Sequence, residues 1–169
     1  MEVLPATLAD LDYIVSLAKK EGQAVGFIPK IAYEAAITGK KTQKNRWSDV
    51  CNDRIFLVKE NDDPVGFVLM SYGRIAKVGQ IAIQEDARLI ERGKGLLTAA
   101  MDVGIDKGIL EFGCGCADDL ESNKFWHAMG WQKVSQRKGR RHSNTWRDAT
   151  SRTVNIYRKQ VDSLFDVAL

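Results

Sequence analysis

The residues best placed to do chemistry in this 169-residue sequence stand in the stretch ERGKGLLTAAMD, residues 91–102. Gly93 and Gly95 flank Lys94, Arg92 precedes them, and a helical run follows. Glycines let the backbone approach a ligand closely, and the free N–H groups of a helix N-terminus attract an anion. The combination would cradle a phosphate, with Arg92 and Lys94 adding charge. A Walker A loop is excluded, because there the lysine and a hydroxyl follow the last glycine, whereas Lys94 lies between two. A dinucleotide fingerprint begun at Gly93 meets Thr98 where its third glycine belongs, and no parallel nucleotide-binding half surrounds it. The glycines alone leave a phosphate site and a ligand-free turn both open.

Three cysteines, Cys51, Cys114 and Cys116, are an odd number and give no disulfide framework. Cys114 and Cys116 face one side if FGCGC is a strand. A metal site needs about four ligands, and the only histidines are His127 and His142. The thiols therefore read as core or pocket lining, and no metal is expected. The net charge of +3 is unevenly spread. Residues 132–159 hold nine Lys/Arg and one Asp, leaving 16 basic and 21 acidic residues elsewhere. Such a run attracts polyanions, nucleic acid among them, or it is a solvated loop and strand edge.

The elements that must position these residues follow from the pattern. Val3 and Leu4 begin a short strand, and Thr7 with Asp10 resembles a capping box before a helix whose apolar face is Leu8, Leu11, Ile14, Val15 and Ala18. Pro29 opens a second helix that Gly39 ends. The polar stretch KKTQKNRWSDVCND reads as loop or partial helix. RIFLVKE, the turn NDDP and VGFVLMSYG form a hairpin, and AKVGQIAIQ is a third strand. A helix over 93–107 follows, then the strand ILEFGCGC, buried on both faces by its composition. DLESNKFWHAMG is a short helix, and WQKVSQ and RTVNIYRK are two last strands joined by a basic loop. The order β-α-α-β-β-β-α-β-α-β-β specifies a mixed α/β sheet. One domain over 1–160 with a tail at 161–169 is expected. The 44% hydrophobic content is ordinary, no apolar run reaches the roughly 20 residues of a membrane span, and no signal peptide opens the sequence. A soluble cytoplasmic protein is the expectation.

IAIQEDARLIERGKGLLTAAMD resembles the acetyl-CoA motif of the GNAT N-acetyltransferases, Q/R-x-x-G-x-G/A after a strand, with Arg92, Gly95 and Leu97 on its three defined positions. DLESNKFWHAMGWQKV is similar to the family's second motif, and the resemblance spans nearly the whole chain. It implies the GNAT acyltransferase fold, a mostly antiparallel twisted sheet flanked by helices, and acetyl-CoA as cosubstrate. It implies pyrophosphate binding by the backbone of Gly93, Lys94, Gly95, Leu96, Leu97 and Thr98, with Arg92 beside them. The pantetheine arm would pair with Ile81, Ala82 and Ile83. A polar residue of the second helix would touch the cofactor, Asp119 by the usual count or Asn123 by the local pattern, and Asn123 is preferred for its amide. Trp126 stands where many members have a tyrosine.

The implied reaction is direct attack of an amine on the thioester. The amine must be neutral, although a lysine-like amine has a pKa of about 10.4. The 81–83 backbone would polarise the thioester carbonyl. Indole is no acid, so Trp126 is a packing residue against pantetheine or core, and a thiol of pKa about 8.5 leaves without one. Tyr72, Asp118 and His127 are weighed and none is assigned a catalytic role. The acceptor, a small-molecule or protein amine, would enter between Gly26–Pro29 and residues 136–151. Two other classes remain: a GNAT-scaffold protein that binds or modifies nucleic acid through 137–152, and a non-catalytic acyl-CoA sensor. Pairing of two copies through the last strands or the tail is a further option.

Overall fold

Alternation along the central strands divides their apolar side chains between two faces. The computed structural model describes residues 1–41, 50–139 and 152–162. Strands β1 (Glu2–Pro5), β2 (Asp53–Glu60), β3 (Asp63–Tyr72), β4 (Ala76–Ile83), β5 (Glu111–Ala117), β6 (Gln132–Lys138) and β7 (Thr153–Gln160) form one seven-stranded sheet, ordered β1-β2-β3-β4-β5-β7-β6. Every neighbouring pair is antiparallel except β4 with β5. Ile55, Leu57, Phe67 and Leu69 face helices α1 (Leu11–Lys20) and α3 (Lys30–Thr38), whose Ile14, Leu17 and Tyr33 complete that core. Phe56, Val58, Val68 and Met70 face helices α4 (Ile90–Asp106) and α5 (Ser122–Ala128), meeting Leu96, Leu97, Met101 and Trp126. The expected element order holds, with one more helical turn, α2 (Gly22–Val25), between the first two helices.

A single extra residue shapes the middle of the sheet. Gln80 pairs with Leu69 and Val78 with Met70, so Gly79 is a bulge in β4. A one-residue shift exchanges the faces of every later side chain. Ala76 and Val78 therefore belong to the α4 core, but Ala82 belongs to the α1–α3 core, while Ile81 and Ile83 pack on the α4 side. At the same point β4 parts from β5, since their pairing covers only Ala76 to Val78 against Phe112 to Cys114. On its other edge β5 pairs with β7 along its whole length, from Glu111 opposite Gln160 to Ala117 opposite Val154.

The ends of the helices follow local chemistry. The Asp10 carboxylate accepts from the Thr7 N–H and hydroxyl, both at 2.8 Å, which secures the turn before α1. Pro29 precedes α3, and Gly39 ends it in the left-handed conformation at φ 73°. Helix α4 corrects an expectation: it starts at Ile90 with Leu89 extended before it, three residues ahead of Gly93. The glycines are packing positions rather than a loop. A Cβ on Gly93 would lie 2.7 Å from the Phe125 ring, and one on Gly95 would lie 3.3 Å from Met1 Cε and 3.5 Å from Val3 Cγ2. Strand β5 is also not buried on both faces. Phe112, Cys114 and Cys116 fill the α4 side, whereas Arg158 lies across Gly113 and Gly115 is exposed beside Val154. The polar stretch 42–49 and the basic loop 140–151 lie outside the described residues.

Candidate functional site

Where β4 and β5 part, a cavity of about 800 Å³ opens. The free edge of β4 from Gly79 to Ile83 forms one wall, and Cys114 to Cys116 of β5 form another. Phe125 and Trp126 of α5, Gly93 of α4, and Ala24 and Val25 of α2 enclose it. Backbone directions along that edge are fixed by two bonds. The Gln84 N–H donates to Val65 O of β3 at 2.9 Å, and Ile83 O accepts from Arg88 Nε at 3.3 Å on the opposite side. Since peptide directions alternate along a strand, the Ile81 N–H and C=O also face the cleft, where β5 no longer pairs with them.

The bulge decides what else reaches the cleft. Gln80 is turned to the α1–α3 side, where its Oε1 accepts from the Tyr33 hydroxyl at 2.7 Å. Its Nε2 donates to Val25 O at 3.2 Å and Gly26 O at 3.1 Å. Gln80 thus ties the α2–α3 connection to the sheet. Two arginines hold α2 from other directions. Arg88 Nη2 lies 2.7 Å from Glu21 Oε2, and Arg152 donates to Gln23 O at 2.6 Å while forking onto Asp119 at 2.8 and 3.0 Å.

Cys114 and Cys116 line the cleft, and Cys51 is buried elsewhere. Burial pushes the Cys114 thiol far up, with the neighbouring Cys116 adding to the shift. Cys116 is also raised, mainly by burial, and its Sγ lies 3.2 Å from Ser122 Oγ. Both are therefore neutral thiols near neutral pH and poor nucleophiles. Among the described residues no cluster of potential metal ligands forms.

Of the residues singled out in the sequence, Ile81, Ala82, Ile83, Gly93 and Trp126 line the cleft. Trp126 is buried, stacked on Tyr157 at 6.4 Å and edge-on to Trp131 at 5.0 Å, which agrees with a packing role. Arg92, Lys94, Gly95, Leu96, Leu97, Thr98 and Asn123 do not line it. Leu96 and Leu97 are core residues, and Gly95 faces β1. With α4 begun at Ile90, residues from Lys94 on stand a turn inside the helix, where backbone N–H groups are taken up by the carbonyls four residues earlier. Arg92 is 12% exposed and grips Glu60 through Nε and Nη2 at 2.7 and 2.6 Å. Asn123 donates to Ala117 O and Leu120 O and accepts from the Tyr157 hydroxyl and Asn155, so its amide is spent inside the protein.

Asp119, the other residue of that choice, does line the cleft. Arg88 and Glu21 also line the cleft and are not among the residues singled out in the sequence. Arg88 was findable as the one basic residue between the end of β4 and the true start of α4. Tyr72 donates to Ala100 O within the core, Asp118 accepts from Asn155, and His127 sits edge-on to Tyr157, all off the cleft. Of the basic segment 137–152, the described Arg137 and Lys138 are exposed on β6, and Arg152 is paired with Asp119.

An acyl-CoA can be tested against this cleft in two halves. The neutral acyl-pantetheine arm suits it, with apolar walls and an unpaired strand edge that offers peptide groups to the arm's amides. Among the described residues, the phosphate half fits less well. The α4 N-terminus presents Leu89 at 58% exposure, Ile90 at 48% and the exposed Glu91.

At the level of sequence, no family model and no curated protein matches the chain. Solved structures do. NAA60 of Arabidopsis thaliana, in complex with a bisubstrate analogue, superposes with a TM-score of 0.73 at 8% identity, covering 96% of this chain and 98% of that one. An acetyltransferase of the GNAT family from Streptococcus pneumoniae gives 0.68 at 14% identity, over 95% and 99%. A Bacillus subtilis acetyltransferase in complex with CoA gives 0.65 at 10%, over 95% and 98%. The seven-stranded sheet, its parting at β4 and β5 and these full-length superpositions together show that the chain has the GNAT acetyltransferase fold.

Proposed function

We propose that the protein is an N-acyltransferase that moves an acetyl group from a coenzyme A-type thioester onto an amine. The observation that carries this reading is the unpaired β4 edge lining a deep cleft, in a fold otherwise seen in acetyltransferases. Ile81 to Ile83 would hold the pantetheine arm as they would an added strand. The Ile81 N–H, directed into the cleft, would donate to the thioester oxygen, where negative charge develops as the amine attacks. Gly93 leaves room for the Phe125 ring, and Phe125 and Trp126 wall the arm off from water. The attack is direct, from a neutral amine, and the departing thiolate needs no acid from the indole of Trp126.

The acceptor enters from the side of α2 and the Gly26–Pro29 loop, which Gln80 and Arg152 hold in place. A small-molecule amine or a protein amine fits this geometry. The test is thiol release from acetyl-CoA and from S-acetylpantetheine over a panel of amines and peptide N-termini, with calorimetry of each donor. Dissociation constants below about 1 mM for at least one donor are expected. A folded sample that binds neither would overturn the reading.

A further inference from the structure

The two ends of the cleft differ in chemistry. The interior is apolar and neutral, built from Ile81, Ala82, Cys114 and Trp126. The mouth, beside the first turn of α4, carries Leu89 and Ile90, with the exposed Glu91 next to them in the helix. A carboxylate there occupies the positive end of the helix that a phosphate would otherwise use. Among the charged residues lining the cleft, Glu21, Asp119 and Glu121 outnumber Arg88 and Lys124.

Among the described residues, three cations near the cleft have acidic partners, while Lys94 of α4 is exposed. Arg88 is paired with Glu21 and bonded to Ile83 O, and drawing it away would leave Glu21 without its counter-ion inside the cleft. Arg92 is held by Glu60. Lys124 is offset by Glu121 at 3.5 Å. Coenzyme A brings several phosphate charges to such a mouth, whereas pantetheine brings none.

Building on the cleft's proposed role as the acyl-donor site, we infer that the protein recognises the acyl-pantetheine portion of its donor, and that the nucleotide phosphates contribute little. The donor class is an acyl-pantetheine thioester, with or without a nucleotide attached. Glu91 is the residue that sets this preference, and it acts on the charge at the mouth without touching the thioester.

Calorimetry of the full-length protein with acetyl-CoA and with S-acetylpantetheine tests this. The expected result is two dissociation constants within about threefold, because a single charge-assisted phosphate contact would separate them by about tenfold or more. The acetyl-CoA constant should change less than about twofold between roughly 50 and 300 mM NaCl. Acetyl-CoA binding more than about 30-fold tighter than S-acetylpantetheine would overturn the inference and leave the cleft assignment standing. Binding of neither donor would overturn both. Glu91→Lys lies on an exposed helix position and should fold. It should tighten acetyl-CoA about fivefold or more, with S-acetylpantetheine unchanged. An unchanged acetyl-CoA affinity in that variant would overturn the role given to Glu91.

Discussion

At the scale of single residues, the Ile81 peptide group is the most consequential. Its N–H faces the cleft and serves no ladder bond, so a proline there removes a donor without breaking the sheet. Ile81→Pro is expected to stay folded by circular dichroism while acyl transfer, read as thiol release, falls about 100-fold. Asp10 offers a test of a different kind. Burial alone would raise its carboxyl, but bonds from Thr7 and the Lys59 ammonium at 3.3 Å hold it below the usual value. A depressed folded-state pKa stabilises at pH above the unfolded value, and that contribution disappears as pH falls through the folded one. Asp10→Asn should therefore cost about 1–2 kcal/mol at pH 7, with the difference from wild type shrinking below about pH 4. Urea denaturation at a series of pH values measures it. The Thr7–Asp10 pairing was legible in the sequence because its partners lie three residues apart. The Lys59 contact was not, since it joins the first helix turn to β2 across the fold.

At the scale of elements, close approach between α4 and α5 is set by Gly93. An added methyl would meet Phe125 ring atoms at 2.7 and 2.8 Å, so Gly93→Ala must move that ring toward the cleft. The expected outcome is a stability loss of about 1–3 kcal/mol by denaturant titration, with weaker binding of both donors by calorimetry. Helix α5 is fixed to β7 by polar side chains. Asn155 bonds Asp118 and Asn123 at 3.1 and 2.9 Å, and Asn123 in turn accepts from Tyr157 at 2.9 Å. Asn123→Ala leaves the buried Asn155 amide and Tyr157 hydroxyl short of a partner, which costs about 2–4 kcal/mol in the same titration. The hairpin, the third strand and the helix spacing were readable because alternation and 3.6-residue periodicity are local. The start of α4 was not. RGKG satisfies the requirements of a loop and of a tightly packed helix equally, and only the positions of Phe125, Met1 and Val3 separate the two.

At the scale of the whole molecule, α2 depends on distant parts of the chain. Arg152 joins it to Asp119 beside α5, and Arg88 joins it to the mouth of α4. Arg152→Ala should change global stability by no more than about 1 kcal/mol, because the pair is exposed. Amide exchange in residues 22–26 should nonetheless quicken, as seen by mass spectrometry, because α2 loses a clamp that local helix bonds do not replace. Among the described residues no helix is long and apolar enough to cross a membrane.

The sequence by itself determined the element order, the mixed sheet and the apolar character of the short helix that carries Trp126. These follow from periodicity and from neighbours in the chain. Only the tertiary structure decided that Gly79 is a bulge and that Gln80 is turned to Tyr33 and the α2–α3 connection. It likewise turned Arg92 toward Glu60, spent Asn123 on Tyr157, and left Leu89, Ile90 and Glu91 at the mouth. Each of these depends on which partner a side chain or strand meets across the fold. A bulge is defined by two strands together, and a cation is free or committed only in relation to acids far away in sequence.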